Sequence, residues 1–230
     1  MVDFLPVAAF SLRPSNTTST GGRSLLVPTP YAIRMALLKA LVEATGLEAA
    51  VERFPEVRDL QIRLRGPDVV AVNRITQMLL RAFDLPTRHW TRAPVAREYG
   101  FYAGALRLAL GSTADRFLHE TLMPTLPAIN YFGRRGGFFQ FSGVHLSLAP
   151  PSSEAGFVDL CLPLRPDDLG YGILQRMEDM RPNAQFPEVD TIRGDPRSAG
   201  ARRSYAVRLP YRVMTHGHNA VVYQRLDLAP

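Results

Sequence analysis

Apolar residues recur at helical spacing in one stretch of the chain and at strand spacing in others. Between Ala32 and Ala44, the residues Ile33, Ala36, Leu37, Ala40, Leu41 and Ala44 fall on one helical face. Thr29 stands where a side-chain oxygen caps the first free N–H groups, Pro30 suits the first helical position, and Gly46 is a natural stop. Residues 57–65 alternate as a strand does, with Leu60, Ile62 and Leu64 on one face and Arg58, Gln61, Arg63 and Arg65 mostly on the other. Residues 3–13 read as a first strand, followed by a polar, turn-rich loop over 14–24.

The pattern is less decided elsewhere. Residues 69–83 suggest a short extended piece and then a helix from about Asn73, and 84–94 a loop or short hairpin around Trp90. Residues 95–110 read as two strand pieces interrupted at Gly100 and Gly104, and 113–126 as a helix capped by Ser112 or Thr113. A strand is expected at about 138–148, and shorter strand signals lie at 157–164, 205–213 and 219–227. The segment 181–204, rich in Pro, Gly, Asp and Arg, reads as mobile. Strand, helix, strand, then strand, helix, strand predicts an α+β fold, ferredoxin-like or resembling an RNA-recognition motif. Pro150 to Ser153 mark the clearest boundary, dividing a domain over 1–150 from a smaller β-rich element over 151–230.

Composition narrows the function classes. The 230 residues carry 27 Lys plus Arg against 21 Asp plus Glu, a formal charge of +6, and 46% are apolar, enough to bury a core. Lys39 is the only lysine, so nearly all positive charge sits on planar guanidinium forks suited to phosphate and base edges. For any single arginine, the alternative is a solvated surface charge. Cys161 stands alone between two leucines and reads as a small core hydrophobe. No Cys/His set has zinc spacing, and no P-loop, dinucleotide fingerprint or nucleophile elbow occurs, so no metal or cofactor is expected. There is neither a signal-peptide pattern nor a long apolar run; no membrane association is expected, and a cytoplasmic location is.

The most informative chemistry lies in Ile129–Phe141, INYFGRRGGFFQF. Glycines let the backbone approach a ligand, guanidiniums match phosphate oxygens, and aromatic faces stack on unpaired bases. Arg134, Arg135, Gly136, Gly137 and Phe138 are therefore the leading RNA-binding candidates, against the alternative of a plain β-turn with incidental charge. Phe138 and Phe139 are neighbours, so in a strand one faces the core and the other solvent. Arg23 and Ser24 after a Gly-Gly turn, Arg97 in a strand segment, and Arg88 and Trp90 in the 84–94 loop complete the candidate set.

Four features together resemble CRISPR-associated family five of the RAMP superfamily: the loop Thr20-Gly21-Gly22-Arg23-Ser24, the Pro28-Thr29-Pro30 lead into the helix, Arg97-Glu98-Tyr99, and Ile129 to Phe138. The likeness spans most of the first 145 residues, although the glycine-rich run at 133–137 is shorter than that superfamily often carries. The resemblance implies a ferredoxin-like RAMP domain with an inserted thumb and a small C-terminal β element. It places the thumb within 66–95 or 181–204, the first being preferred because Arg88, Trp90 and Arg92 sit there. It implies a subunit that caps the 5′ handle of a CRISPR RNA (crRNA) in a type I Cascade complex and touches the backbone and large subunits, with target DNA near the PAM as a further partner. Some relatives cut precursor RNA without metal; candidates for that chemistry are His119, Tyr99, Lys39 and His89, which nothing in the sequence brings into register. His119 beside Glu120 reads as a surface or packing residue, and the expectation is a protein without catalytic residues. The alternatives are a metal-independent endoribonuclease and a protein–protein adaptor with an acidic partner.

Overall fold

The computed structural model describes residues 1–14, 21–84, 89–133, 135–147, 149–153, 155–167, 170–190 and 198–228; the side chains of 21, 81–84, 89–91 and 198–199 lie outside the description. The first sheet is built around the helix that the sequence announced. Helix α1 spans Pro30–Thr45; the Thr29 hydroxyl accepts from the Ala32 N–H at 3.2 Å, and Gly46 closes the helix at φ 86°. Short helices α2 (Leu47–Glu52) and α3 (Phe54–Arg58) follow. Strands β1 (Val2–Pro6), β3 (Gln61–Arg65), β6 (Leu106–Gly111), β7 (Phe139–Val144) and β8 (Val158–Asp159) form a five-stranded sheet in the order β7-β1-β6-β3-β8, with every pair antiparallel. Ile62 and Leu64 are fully buried together with Ile33, Leu37 and Leu41 of α1, in the same core as Phe4 and Leu106. A π-helical turn (Phe117–Leu122) running into a 3-10 turn (Met123–Ala128) joins β6 to β7, and the Ser112 hydroxyl accepts from the Ala114 N–H at 3.0 Å.

The second sheet has the order β11-β12-β4-β5-β2, with β2 Gly21–Gly22, β4 Val69–Asp84, β5 His89–Ala103, β11 Tyr211–His216 and β12 Ala220–Arg225. Strands β9 (Ile173–Met180) and β10 (Arg202–Leu209) pair as a separate ribbon. Segments beyond Pro150 thus join both large sheets, through β8 on β3 and β12 on β4.

Several expectations change. Residues 69–83 are one strand without a helix, because Val69 to Leu80 pair along their length with β5. The helix-favouring run Met78-Leu79-Leu80 is overridden by that partner, as tertiary pairing often overrides local propensity. The preferred thumb region is therefore a long hairpin, β4 with β5. Gly100 does not interrupt β5: it exchanges backbone hydrogen bonds of 2.7 Å with Phe10 on its open side. The real break is Gly104 at φ 97°. The first strand stops at Pro6, and 57–65 starts as the end of α3 before β3 begins. Strand β9 was not foreseen. Of 181–204, α4 (Phe186–Val189) and a 3-10 turn (Ser198–Ala201) are described, while 191–197 lie outside the described residues.

Candidate nucleic-acid interface

The glycine–arginine loop is a hairpin pinned by its aromatic residues. Phe132 and Phe139 are buried and pack edge to face with ring centroids 5.2 Å apart, Phe132 also meeting Phe4 at 5.0 Å. Tyr131 bridges Phe138 across the loop, and the Phe139 N–H donates to the Asn130 carbonyl at 2.9 Å. Gly133 (φ 80°) and Gly136 (φ 112°) adopt left-handed backbone that other residues resist. A Cβ on Gly133 would also lie 2.7 Å from Leu12 Cδ1. Between these anchors Arg135 is exposed, and its guanidinium is hydrogen-bonded to Tyr131, which raises its pKa further. Lys39 lies over the Tyr131 ring, 5.7 Å from its centroid, and pairs with Glu43 at 2.6 Å. Phe138 is 44% exposed and Phe139 only 3%, the division that strand alternation implies. The loop therefore presents a guanidinium, an open glycine backbone and an exposed ring beside one another.

Residues 9–13 form the wall shared by this loop and the Gly-Gly turn. A Cβ on Gly137 would sit 3.3 Å from the Phe10 Cα, so the loop lies directly on that segment. On the other side the Leu25 N–H donates to the Leu12 carbonyl at 2.8 Å, and the Arg13 side chain lies over Gly22 where a Cβ would collide with it. The Ser24 hydroxyl accepts from the Leu12 N–H (3.2 Å) and donates to the Leu25 carbonyl (3.1 Å), while the Ser24 N–H donates to Glu98 Oε2 at 2.9 Å. Ser24 thus holds its loop in shape, while Arg23 beside it is exposed.

Arg23 opens onto a groove of ≈ 590 Å³ between the base of the β4–β5 hairpin, β9 and the β11–β12 turn. Arg74, Arg176 and His218 line the same groove, three side chains that the sequence reading did not place in the site. Alternation along a strand is the available signal for Arg74, and a helical reading of 69–83 hides it. Arg97 lies on β5 opposite Ile75 and beside Gly22, and its Nε is buried without a hydrogen-bond partner. Arg88 and Arg134 lie outside the described residues, as does the Trp90 side chain; Trp90 itself pairs with Phe83 near the hairpin end.

The hydrolytic candidates are not gathered. Lys39 is on α1 in its ion pair, Tyr99 on β5, and His119 on the π-helical turn, where it lines a different cavity of ≈ 370 Å³ with Asp115 and Arg63. His89 starts β5, its side chain outside the description. Among the described residues no group of three His, Cys, Asp or Glu is placed to hold a metal, and no helix is long and apolar enough to cross a membrane.

No protein-family model matches the chain. Over 105 residues it is 32% identical to the CRISPR-associated protein Cas5 of Archaeoglobus fulgidus, a stretch covering 44% of this chain and 46% of that protein. The chain thus spans about half the length of the curated relative that it matches. A solved structure described as a CRISPR protein from Archaeoglobus fulgidus aligns over 97% of this chain and 90% of its own, with 13% identity and a TM-score of 0.45. Over the matched stretch, the chain is similar to the CRISPR-associated protein Cas5.

Proposed function

We propose that this protein is an RNA-binding, non-catalytic subunit of a type I CRISPR surveillance complex that caps the 5′ handle of the crRNA in antiviral defence. The observation that carries this reading is the loop in which exposed Arg135, the open backbone of Gly136 and exposed Phe138 stand side by side on a rigid aromatic base. Phosphate contacts position a strand, and ring stacking holds an unpaired base. The order β7-β1-β6-β3, with α1 between β1 and β3 and helical turns between β6 and β7, is the split β-α-β order and supports a ferredoxin-like RAMP domain. The similarity to Cas5 supports the crRNA as ligand and neighbouring Cascade backbone and large subunits as partners. The β4–β5 hairpin is the thumb of this reading.

The test is binding of the full chain to a labelled crRNA with its 5′ handle, beside an equal-length RNA with a scrambled handle, with the RNA checked for cleavage. Handle-dependent binding that falls about tenfold in Arg135→Ala, the scale of one charged hydrogen-bonding contact, with the RNA left intact, is the expected result. Cut RNA would replace this reading with the endoribonuclease. Binding that ignores both handle and variant, also with co-expressed partners, would remove it.

A further inference from the structure

The groove beyond Arg23 carries its own chemistry. Arg23 comes from the β2 turn, Arg74 from β4 and Arg176 from β9, and none of the three has a carboxylate within ion-pair distance among the described residues. The other titratable groups lining it are Glu98 of β5, His218 of the β11–β12 turn and Tyr223 of β12. Three guanidiniums face a single carboxylate, so the groove is positive before His218 is counted. Like charges held together in this way lower their mutual repulsion when an anion enters.

The walls are fixed in advance. Buried Gln175 of β9 accepts from the Leu26 N–H at 2.7 Å and donates to the Val27 carbonyl at 3.1 Å, tying the Arg23 loop to β9. The Arg74 N–H donates to the Asn219 carbonyl at 2.7 Å, tying β4 to the β11–β12 turn. Glu98 fastens the Ser24 N–H at 2.9 Å. An anion entering here meets donors carried on backbones that are already locked, which leaves the arginine side chains as what binding must order.

The geometry points to a phosphate-binding site in this groove, separate from the glycine–arginine loop, with Arg23, Arg74 and Arg176 as its donors. Guanidinium forks match phosphate oxygens, and the volume accommodates a nucleotide as well as a bare anion. Glu98 is a positioning residue: it holds the Ser24 turn, and its charge limits how tightly the groove takes an anion. Where the phosphate belongs to a strand, the inference rests on the RNA-binding reading above; where it belongs to a free nucleotide, it does not.

The experiment uses the full chain as wild type, as Arg74→Ala/Arg176→Ala and as Glu98→Gln. The probes are a labelled twelve-nucleotide single-stranded RNA with a 5′-hydroxyl, the same RNA with a 5′-phosphate, and AMP as competitor. The double variant is expected to bind RNA at least about tenfold more weakly, with a salt slope shallower by ~0.7 for each phosphate that it no longer neutralises. Glu98→Gln keeps an oxygen for the Ser24 N–H and is expected to tighten binding several-fold, a gain that misfolding cannot imitate. Displacement by AMP, with preference for the 5′-phosphate, assigns the site to a phosphate monoester; no displacement, with both RNAs weakened equally, assigns it to backbone phosphates. Wild-type binding by a double variant of unchanged thermal midpoint, with Glu98→Gln inert, overturns the site. Sensitivity to the groove variants with none to Arg135→Ala would overturn the loop reading and leave this one standing.

Discussion

Among the described residues, two groups of arginines stand in contrast. On the first sheet and beneath α1 they are matched to carboxylates: Arg63 to Asp159, Arg107 to Asp3, and Arg34 to Asp179, the last pair only 3% and 1% exposed. Arg225, 1% exposed, is held by Asp68 and Asp227 and donates to the Gly66 carbonyl. Around the glycine–arginine loop and the second-sheet groove, Arg135, Arg23, Arg74 and Arg176 have no carboxylate within ion-pair distance among the described residues. The same side chain serves the fold in one region and leaves a free positive field in the other. Buried guanidiniums need a partner because an uncompensated charge out of water is costly. Exposed ones need none, so their clustering in excess of the carboxylates beside them is what singles out a surface for anions.

This contrast breaks most sharply at Arg34. Its Nε pairs with Asp179 at 2.8 Å, and its other nitrogens donate to the Val57 and Leu60 carbonyls at 2.8 and 2.9 Å, joining α1, β9 and the α3–β3 connection. Arg34→Ala leaves Asp179 buried without that partner and is expected to cost about 3–5 kcal/mol, read as a lowered urea midpoint. Arg203, which also reaches Asp179 at 3.1 Å, is 39% exposed and is the partner that remains in this variant.

A smaller effect is expected at Asp3. The bidentate hydrogen bonds from Arg107 hold its carboxyl below the ordinary range, outweighing the burial that raises it. A carboxylate with a depressed folded pKa contributes stability that is full above its unfolded value near ~3.9 and is lost as pH falls through the folded value. Urea midpoints followed from neutral pH downward are expected to fall less steeply at the acid end in Asp3→Asn than in wild type. Parallel curves would detach this ion pair from acid stability.

The smallest effect is expected at Arg97, which is part-buried and falls in neither group. Arg97 has a buried Nε with no hydrogen-bond partner, so Arg97→Met is expected to leave the unfolding free energy unchanged or raise it by no more than about 1 kcal/mol, read as a urea midpoint that does not fall. A loss as large as that of Arg34→Ala would move Arg97 into the structural group.

Much of the scaffold is legible in the sequence. The cap at Thr29, the stop at Gly46 and the alternation of Leu60, Ile62 and Leu64 are short-range signals, and each reappears in place. The glycine–arginine loop was legible for the same reason: its aromatic anchors, its turn residues and its exposed charge are consecutive in the chain. The β4–β5 hairpin was not, because Met78-Leu79-Leu80 favours a helix locally and becomes a strand only by pairing with residues of β5. Nor was the groove, since Arg23, Arg74 and Arg176 come from three strands or turns far apart in sequence.

The sequence by itself determined the caps, the amphipathic faces, the arginine-rich balance and the glycine–arginine motif. Only the tertiary structure decided which arginines are free. That depends on where carboxylates such as Asp179, at 145 residues' separation from Arg34, come to rest. Charge pairing over such distances is set by sheet order and packing, which local propensity does not encode.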